Sequence, residues 1–76
     1  MVHAVIMIRT DSGTAESVRD AVSALGSVAD AHVVAGDFDV IAELDETEVY
    51  DVLDTASSSI QDTDGVQETK TYVSLT

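Results

Sequence analysis

The residues best suited to binding a small molecule form the segment Gly36-Asp37-Phe38-Asp39. Backbone amides in a turn can receive a carboxylate, and a nearby Asp side chain can pair with an ammonium group. Strand alternation predicts that Asp39 points away from Phe38 and Val40, towards a face that could contact another subunit. The alternative is a tight turn alone, in which Gly36 supplies a positive φ and Asp37 bonds its own backbone.

The two histidines, His3 and His32, are the other groups with useful chemistry. Imidazoles with nearby carboxylates can bind a metal ion, but both histidines lie on predicted strands without a closely spaced ligand motif. Side-chain parity puts both on the sheet face away from the helices if Ile6 and Val33 point to the core. We therefore expect an interface or surface role, and neither a metal nor a cofactor.

The sequence contains few side chains in patterns that are typical of a catalytic site. The serine run 57–59 has no histidine in the same element and is typical of a polar helix end. No Gly-rich phosphate loop, paired-acid constellation or cofactor lysine stands out. Arg9 and Arg19 are expected to pair with carboxylates. The sequence thus favours a protein without catalytic residues.

The composition indicates one small, very acidic domain. Fifteen Asp and Glu against three Lys and Arg give a formal net charge of −12 over 76 residues, with a pI near 4.1. This charge opposes contact with nucleic acid or with anionic membranes. An Asp-rich chain with one lysine favours a salt-rich, halophilic cytoplasm, with an ordinary acidic protein as the alternative. The apolar N-terminal run is too short for a signal peptide or a membrane span, which predicts a cytoplasmic location.

Three strands and a helix are predicted in the first part of the chain. The apolar run 2–9 predicts a strand, and apolar residues at helical spacing predict a helix that stops at Gly26. That helical stripe consists of Val18, Ala21, Val22 and Leu25. Residues 28–35 and 38–44 predict two strands joined by a tight Gly-Asp turn.

A second helix and a last strand complete the prediction. Asp45 and Glu48 match a capping box. The helical stripe that follows consists of Val49, Val52, Leu53, Ala56 and Ile60. Residues 62–65 break the helix, and residues 66–75 predict a strand. The order βαββαβ predicts an α+β, ferredoxin-like fold: a four-stranded antiparallel sheet with two helices on one face.

The sheet face away from the helices is predicted to be partly apolar. In the first strand, for example, both parities contain apolar side chains. Apolar patches on small proteins usually mark interfaces, so we expect at least a homodimer that forms through the sheet.

Two segments resemble a known family. Residues 33–39 (VVAGDFD) and 65–73 (GVQETKTYV), in this element order, are similar to the ligand-sensing domain of Lrp/AsnC transcription regulators, the RAM domain. Members of that family carry a Gly-x-x-Asp turn between the second and third strands and a Gly-Val-Thr-rich final strand. The resemblance covers residues 1–76 as a single domain, without the N-terminal helix-turn-helix domain of the family's regulators.

The resemblance implies a non-enzymatic module for amino acid sensing and oligomerisation that acts in transcriptional or metabolic regulation through a partner. An amino acid effector would bind between subunits at Gly36, Asp37, Phe38 and Asp39. Thr69 and Thr71 are weaker candidates, on the expectation that the final strand lines the same interface. Dimers would assemble further into rings, and a full-length Lrp/AsnC regulator is a candidate partner.

Two alternatives remain open at this point. One is a small dimeric ferredoxin-like enzyme with Asp39 and His32 as acid and base. The other is a purely structural oligomerisation partner with an empty cleft.

Overall fold

The strands and helices follow the order expected from the apolar patterns. The computed structural model describes the backbone of residues 1–76 and every side chain except that of Ser57. The strands are β1 (Val2–Thr10), β2 (Val28–Val33), β3 (Val40–Glu46) and β4 (Val66–Val73). The helices are α1 (Ala15–Ser23) and α2 (Val49–Asp54), and α2 continues into a π-helical segment, Thr55–Ile60.

The sheet is antiparallel with the strand order β2-β3-β1-β4. This is the ferredoxin-like arrangement that the βαββαβ order predicted. Alternate residues of the two central strands point to the helices and are fully buried, including Ile6, Ile8 and Leu44. Val18 and Val22 of α1 and Ile60 of the π-helical segment pack into the same core. The core therefore lies between one face of the sheet and the helices.

The other face of the sheet, called the open face below, has no helix over it. Cross-strand partners share a face, so the register of the three strand pairs defines its members. They are His3, Val5, Met7 and Arg9 on β1, Ile41, Glu43 and Asp45 on β3, Asp30 and His32 on β2, and Glu68, Lys70 and Tyr72 on β4. Both histidines lie there, as predicted. Val33, on the core side, is 47% exposed at the sheet edge.

The turn before β4 packs on the start of α1 through Gly65. Its φ is +94°, and a Cβ atom added there would lie 2.9 Å from Thr14 Oγ1 and 3.0 Å from Val18 Cγ2. The Gly65 carbonyl also accepts a hydrogen bond of 2.8 Å from the amide of Asp11. Only glycine combines this backbone conformation with such a close approach.

The second helix differs from the prediction at both its start and its exposed face. The capping box is wrong: β3 extends to Glu46, Asp45 lies on this strand, and α2 begins only at Val49. Val52, Ala56 and Ile60 are buried as predicted, but Val49 and Leu53 are 47% and 51% exposed. In α1, Ala21 is likewise exposed rather than buried. The widths of both predicted apolar stripes were therefore overestimated.

The connection between β2 and β3 is longer than the predicted tight turn. β2 ends at Val33 and β3 begins at Val40, so residues 34–39 form a loop. Gly36 does not have a positive φ, contrary to the turn interpretation. Among the described residues, no helix is both long enough and apolar enough to cross a bilayer.

Candidate functional site

The loop 34–39 is held at the end of the sheet by backbone hydrogen bonds. The amide of Val34 donates to the Asp39 carbonyl at 2.8 Å, which closes the loop on itself. The amide of Asp39 donates to the Ile8 carbonyl at 2.9 Å, which ties the loop to β1. Four of the residues predicted to bind a ligand, 36–39, are therefore brought together on a firmly attached loop.

Asp39 is bonded differently from the expectation. Its Oδ2 atom accepts one hydrogen bond from the Thr10 amide at 2.8 Å and another from the Thr10 hydroxyl at 3.2 Å. Thr10 is buried on the core side of β1, so the carboxylate does not point freely to the open face. Strand alternation does not extend to Asp39, because residues 34–39 are not a strand. Asp39 has a structural bond whether or not it also contacts a ligand.

The side chain of Phe38, unlike that of Asp39, lies on the open face of the sheet. Its ring lies against the open face, with the Arg9 guanidinium carbon 5.0 Å and the Lys70 Nζ atom 5.7 Å from the ring centroid. These are cation–π distances. The Nε atom of Arg9 also lies 3.2 Å from Glu68 Oε1, the carboxylate pairing expected for this arginine. Two of the three basic side chains in the chain thus meet at this ring.

Arg9 and Lys70 are the functional candidates that sequence reasoning missed. Lys70 is paired with Met7 in the β1–β4 register, and Arg9 with Glu68. The sequence signal that could have identified them is the scarcity of basic residues in an acidic chain. The register between the first and last strands was not available from the pattern of residues.

The remaining loop residues, Gly36 and Asp37, are exposed. No atom lies within 4 Å of the position that a Cβ on Gly36 would occupy. This part of the loop is therefore open to a ligand or to another chain.

Thr69 and Thr71 do not join the loop residues on the open face. They pair with Ile8 and Ile6, so their side chains lie on the core side of β4. The Thr69 hydroxyl accepts a hydrogen bond of 3.1 Å from Gln61 Nε2. The expectation that these two threonines line the same face as the loop is not met within one chain.

The two histidines are each paired with a carboxylate on the open face. His3 Nδ1 lies 2.8 Å from Asp45 Oδ1, and His32 Nε2 lies 3.1 Å from Asp30 Oδ2. Arg19, the remaining arginine, bonds Asp20 at 2.9 Å and the Ala31 carbonyl at 3.1 Å. The carboxylate partners expected for Arg9 and Arg19 are therefore confirmed. Of the serine run, Ser58 donates to Asp54 Oδ1 at 3.2 Å, and the Ser57 side chain is outside the described residues.

Two surface concavities lie away from the loop. One, of about 370 Å³, is between α1 and the β2 edge, where Arg19, Ala31 and His32 are among its lining residues. The other, of about 270 Å³, lies beside β4 and includes Gln61 and Thr69. Neither includes residues 36–39. A single chain does not enclose the loop residues within either concavity.

Comparison with known families identifies the domain. The model of the Lrp/AsnC ligand-binding domain family matches residues 3–76. The chain belongs to this family. The match spans the sheet, the helices and the loop 34–39. It therefore includes both segments, residues 33–39 and 65–73, that carry the resemblance to Lrp/AsnC domains. No curated protein matches the chain.

Solved structures show the same fold. TTHA0845 from Thermus thermophilus has a TM-score of 0.94 at 25% identity, covering 100% of this Lrp/AsnC domain and 95% of that chain. AsnC from E. coli has a TM-score of 0.90 at 21% identity, with coverages of 99% and 51%. The transcriptional regulator NMB0573 from Neisseria meningitidis, solved as a complex with L-Met, has a TM-score of 0.85 at 16% identity, with coverages of 99% and 50%. The domain thus spans about half of each of these two regulators.

Proposed function

We propose that this chain is a non-enzymatic domain that binds an amino acid or a related small metabolite between copies of itself. It would act in transcriptional or metabolic regulation through a partner. Membership of a ligand-binding family supports a binding role. The complex of NMB0573 with L-Met, a protein with the same fold, supports an amino acid as the ligand class.

The observation that carries the proposal is the pairing of the loop 36–39 with two cations in a chain of net charge −12. Arg9 and Lys70 can attract the carboxylate of an amino acid, and an arginine can bind it through two parallel hydrogen bonds. Asp37 is exposed in the same loop and can pair with the ammonium group. Phe38 supplies an apolar surface for the side chain of the ligand.

The surroundings of the loop support a site shared between copies. Neither concavity contains residues 36–39, which is consistent with a ligand there being covered by a second chain. The open face carries an apolar centre of Val5, Met7 and Ile41, each half-buried. Such a face is typical of a dimer interface.

Charge on the open face also supports pairing of two copies. Carboxylates lie along β2 and β3, at Asp30, Glu43 and Asp45, whereas Arg9 and Lys70 lie on β1 and β4 with one carboxylate, Glu68, between them. A two-fold interface places one patch against the same patch rotated, so the acidic side of one copy can meet the basic side of the other. A ligand held by both copies would stabilise one assembly over another by its difference in affinity, typically about 1–3 kcal/mol.

The test is a thermal-shift panel of the common amino acids at molar KCl, with the mass of the same sample measured by light scattering. A ligand that binds only the native assembly raises the melting temperature. We expect a selective shift and a mass of at least a dimer. The Arg9→Gln variant should lose the shift, whereas Arg19→Gln, which changes an arginine bonded to Asp20 and Ala31, should keep it.

Other results would support the alternatives. A stable multimer that responds to no amino acid would favour a structural oligomerisation partner. A monomer would contradict the proposed shared site. The enzyme hypothesis requires Asp39 and His32 as acid and base, but here Asp39 bonds Thr10 and His32 pairs with Asp30. An enzymatic turnover that is lost in His32→Ala would be needed to support the enzyme hypothesis.

A further inference from the structure

A cluster of three potential metal ligands lies on the open face at the β2 edge. It consists of Asp30, His32 and Glu43, and one donor atom from each lies within 4.8 Å of the others. His32 Nε2 and Asp30 Oδ2 are 3.1 Å apart. The cluster combines one imidazole nitrogen with carboxylate oxygens on two adjacent strands. It is separate from the loop 36–39.

A β-bulge lies beside this cluster. Val28 pairs with Leu44, but the register then shifts so that Asp30, rather than Ala29, pairs with Glu43. A regular register would place Asp30 opposite Ala42 and on the core side of the sheet. The shift instead aligns Asp30 with Glu43, so Asp30 and His32 lie on the open face, as the parity of His32 predicted. Parity predicted the face on which His32 lies, but the alignment of Asp30 with Glu43 depends on the register between β2 and β3, which sequence spacing does not give.

The bulge also brings two carboxylates face to face. Like charges directly opposite each other on adjacent strands destabilise a sheet. The nearby His32 lies against one of the two, with its Nε2 atom 3.1 Å from Asp30 Oδ2. The Asp30 carboxylate is oriented, because its Oδ1 atom accepts a hydrogen bond of 3.0 Å from the Ala31 amide while Oδ2 faces the imidazole. A cation between the two carboxylates would relieve their repulsion.

We propose that Asp30, His32 and Glu43 bind one divalent transition-metal ion of the Zn²⁺ or Co²⁺ type. One imidazole and two carboxylates are ligands that these ions accept, and an all-oxygen set would instead suit Mg²⁺ or Ca²⁺. Three protein ligands leave at least one coordination position for water or for a group from another molecule. In the single chain the side chains of Asp30 and His32 are more than half exposed, so an ion can enter from solvent before a second copy covers the open face.

His3 stands beside this site. Its Nε2 atom lies 3.9 Å from Glu43 Oε1, while its Nδ1 atom lies 2.8 Å from Asp45. The contact with Asp45 fixes the orientation of the His3 ring. Glu43 therefore lies between the proposed metal site and His3, which makes His3 the natural comparison for His32.

Calorimetric titration of the purified, chelator-treated chain with Zn²⁺ tests the site. We expect binding that is weakened at least about tenfold in His32→Ala and in Glu43→Gln, since each removes a ligand. Asp30→Asn is the conservative third variant, because its amide oxygen can still accept from the Ala31 amide. Asp62→Asn removes one exposed negative charge elsewhere and should leave the affinity unchanged. Circular dichroism checks that every variant is folded.

Two comparisons between variants would overturn the metal site. One is equal Zn²⁺ affinity in His32→Ala and in the unmodified chain. The other is an equal loss of Zn²⁺ affinity in Asp62→Asn and in Glu43→Gln, which would indicate unspecific attraction of the ion to an acidic surface. Addition of Mg²⁺ at the same concentration should not displace Zn²⁺, and displacement would likewise contradict the proposal.

A spectroscopic measurement locates the ion independently of affinity. Paramagnetic Co²⁺ should broaden the imidazole NMR signals of His32 at lower concentrations than those of His3. Broadening of His3 first, with His32 unaffected, would place the ion elsewhere and would exclude the proposed ligand set. Neither measurement depends on an amino acid ligand, so failure of the metal site and failure of the proposed function can be told apart.

Discussion

The Asp39 carboxylate joins the loop 34–39 to the end of β1, because one of its oxygens accepts hydrogen bonds from both the amide and the hydroxyl of Thr10. Thr10 is only 8% exposed. Water therefore has little access to these two donors if the carboxylate is removed. Asp39 contributes to stability at the same position where the family resemblance suggests a ligand contact.

Replacement of Asp39 by Ala should lower the free energy of unfolding by about 1–3 kcal/mol, because it leaves buried donors without an acceptor. Asp39→Asn keeps an acceptor oxygen and should cost less. Urea denaturation measures both. Asp37→Ala, a change in the exposed neighbour, should stay within about 0.5 kcal/mol of the unmodified chain. An equal effect of the two alanine substitutions would contradict the structural role of Asp39.

At the scale of residues, the sequence predicted the position of the loop better than the directions in which its side chains point. Gly36 to Asp39 do lie together, and both histidines lie on the open face. Alternation failed at Phe38 and Asp39 because it assumes an extended strand, and these residues precede β3. The contacts of Phe38 with Arg9 and Lys70 depend on the pairing of distant strands, which periodicity does not specify.

At the scale of elements, the Gly65 turn shows how a single glycine positions β4 against α1. Replacement by Ala should lower the free energy of unfolding by about 1–3 kcal/mol from the backbone conformation alone. The close approach to Thr14 and Val18 adds to this cost. Thermal or urea unfolding provides the measurement.

Gly36→Ala is the matched control for this change. Gly36 has no positive φ and no neighbouring atom in the way of a Cβ. Its replacement should leave stability unchanged or raise it by about 0.4–1 kcal/mol, because alanine restricts the unfolded chain. Similar losses in both variants would show that the turn before β4 has no special requirement for glycine.

Elements were predictable where an apolar period was long and clear. The apolar run that begins at Val2 correctly predicted β1, and the helical spacing of Val18 and Val22 correctly predicted α1. The start of α2 was misplaced because Asp45 suits both a helix cap and a strand end, and the tertiary pairing of β3 with β1 decides between them. The bulge that aligns Asp30 with Glu43 also depends on strand pairing, so no local pattern predicted that alignment.

At the scale of the whole molecule, the net charge of −12 predicts a strong dependence of stability on salt. Raising KCl from about 0.1 M to about 1 M shortens the Debye length from about 10 Å to about 3 Å and weakens the self-repulsion of the folded chain. The melting temperature should rise over this range in a calorimetric scan.

A charge-reduced variant provides the control for this prediction. Asp62→Asn combined with Asp64→Asn lowers the negative charge at exposed positions and should reduce the slope of melting temperature against salt. The same slope in both proteins would show that the salt effect comes from apolar burial rather than charge. A melting temperature independent of KCl would contradict the electrostatic argument and, with it, the salt-adapted interpretation.

The position of β1 at the centre of the sheet has a consequence for synthesis on the ribosome. β1 is made first, but one of its edges is completed only when residues 66–73 arrive as β4. Until then the nascent chain presents an unpaired, apolar strand edge that can pair with other chains. Such long-range pairing also slows folding. Correct closure of β1 therefore has to compete with pairing between chains until β4 is available.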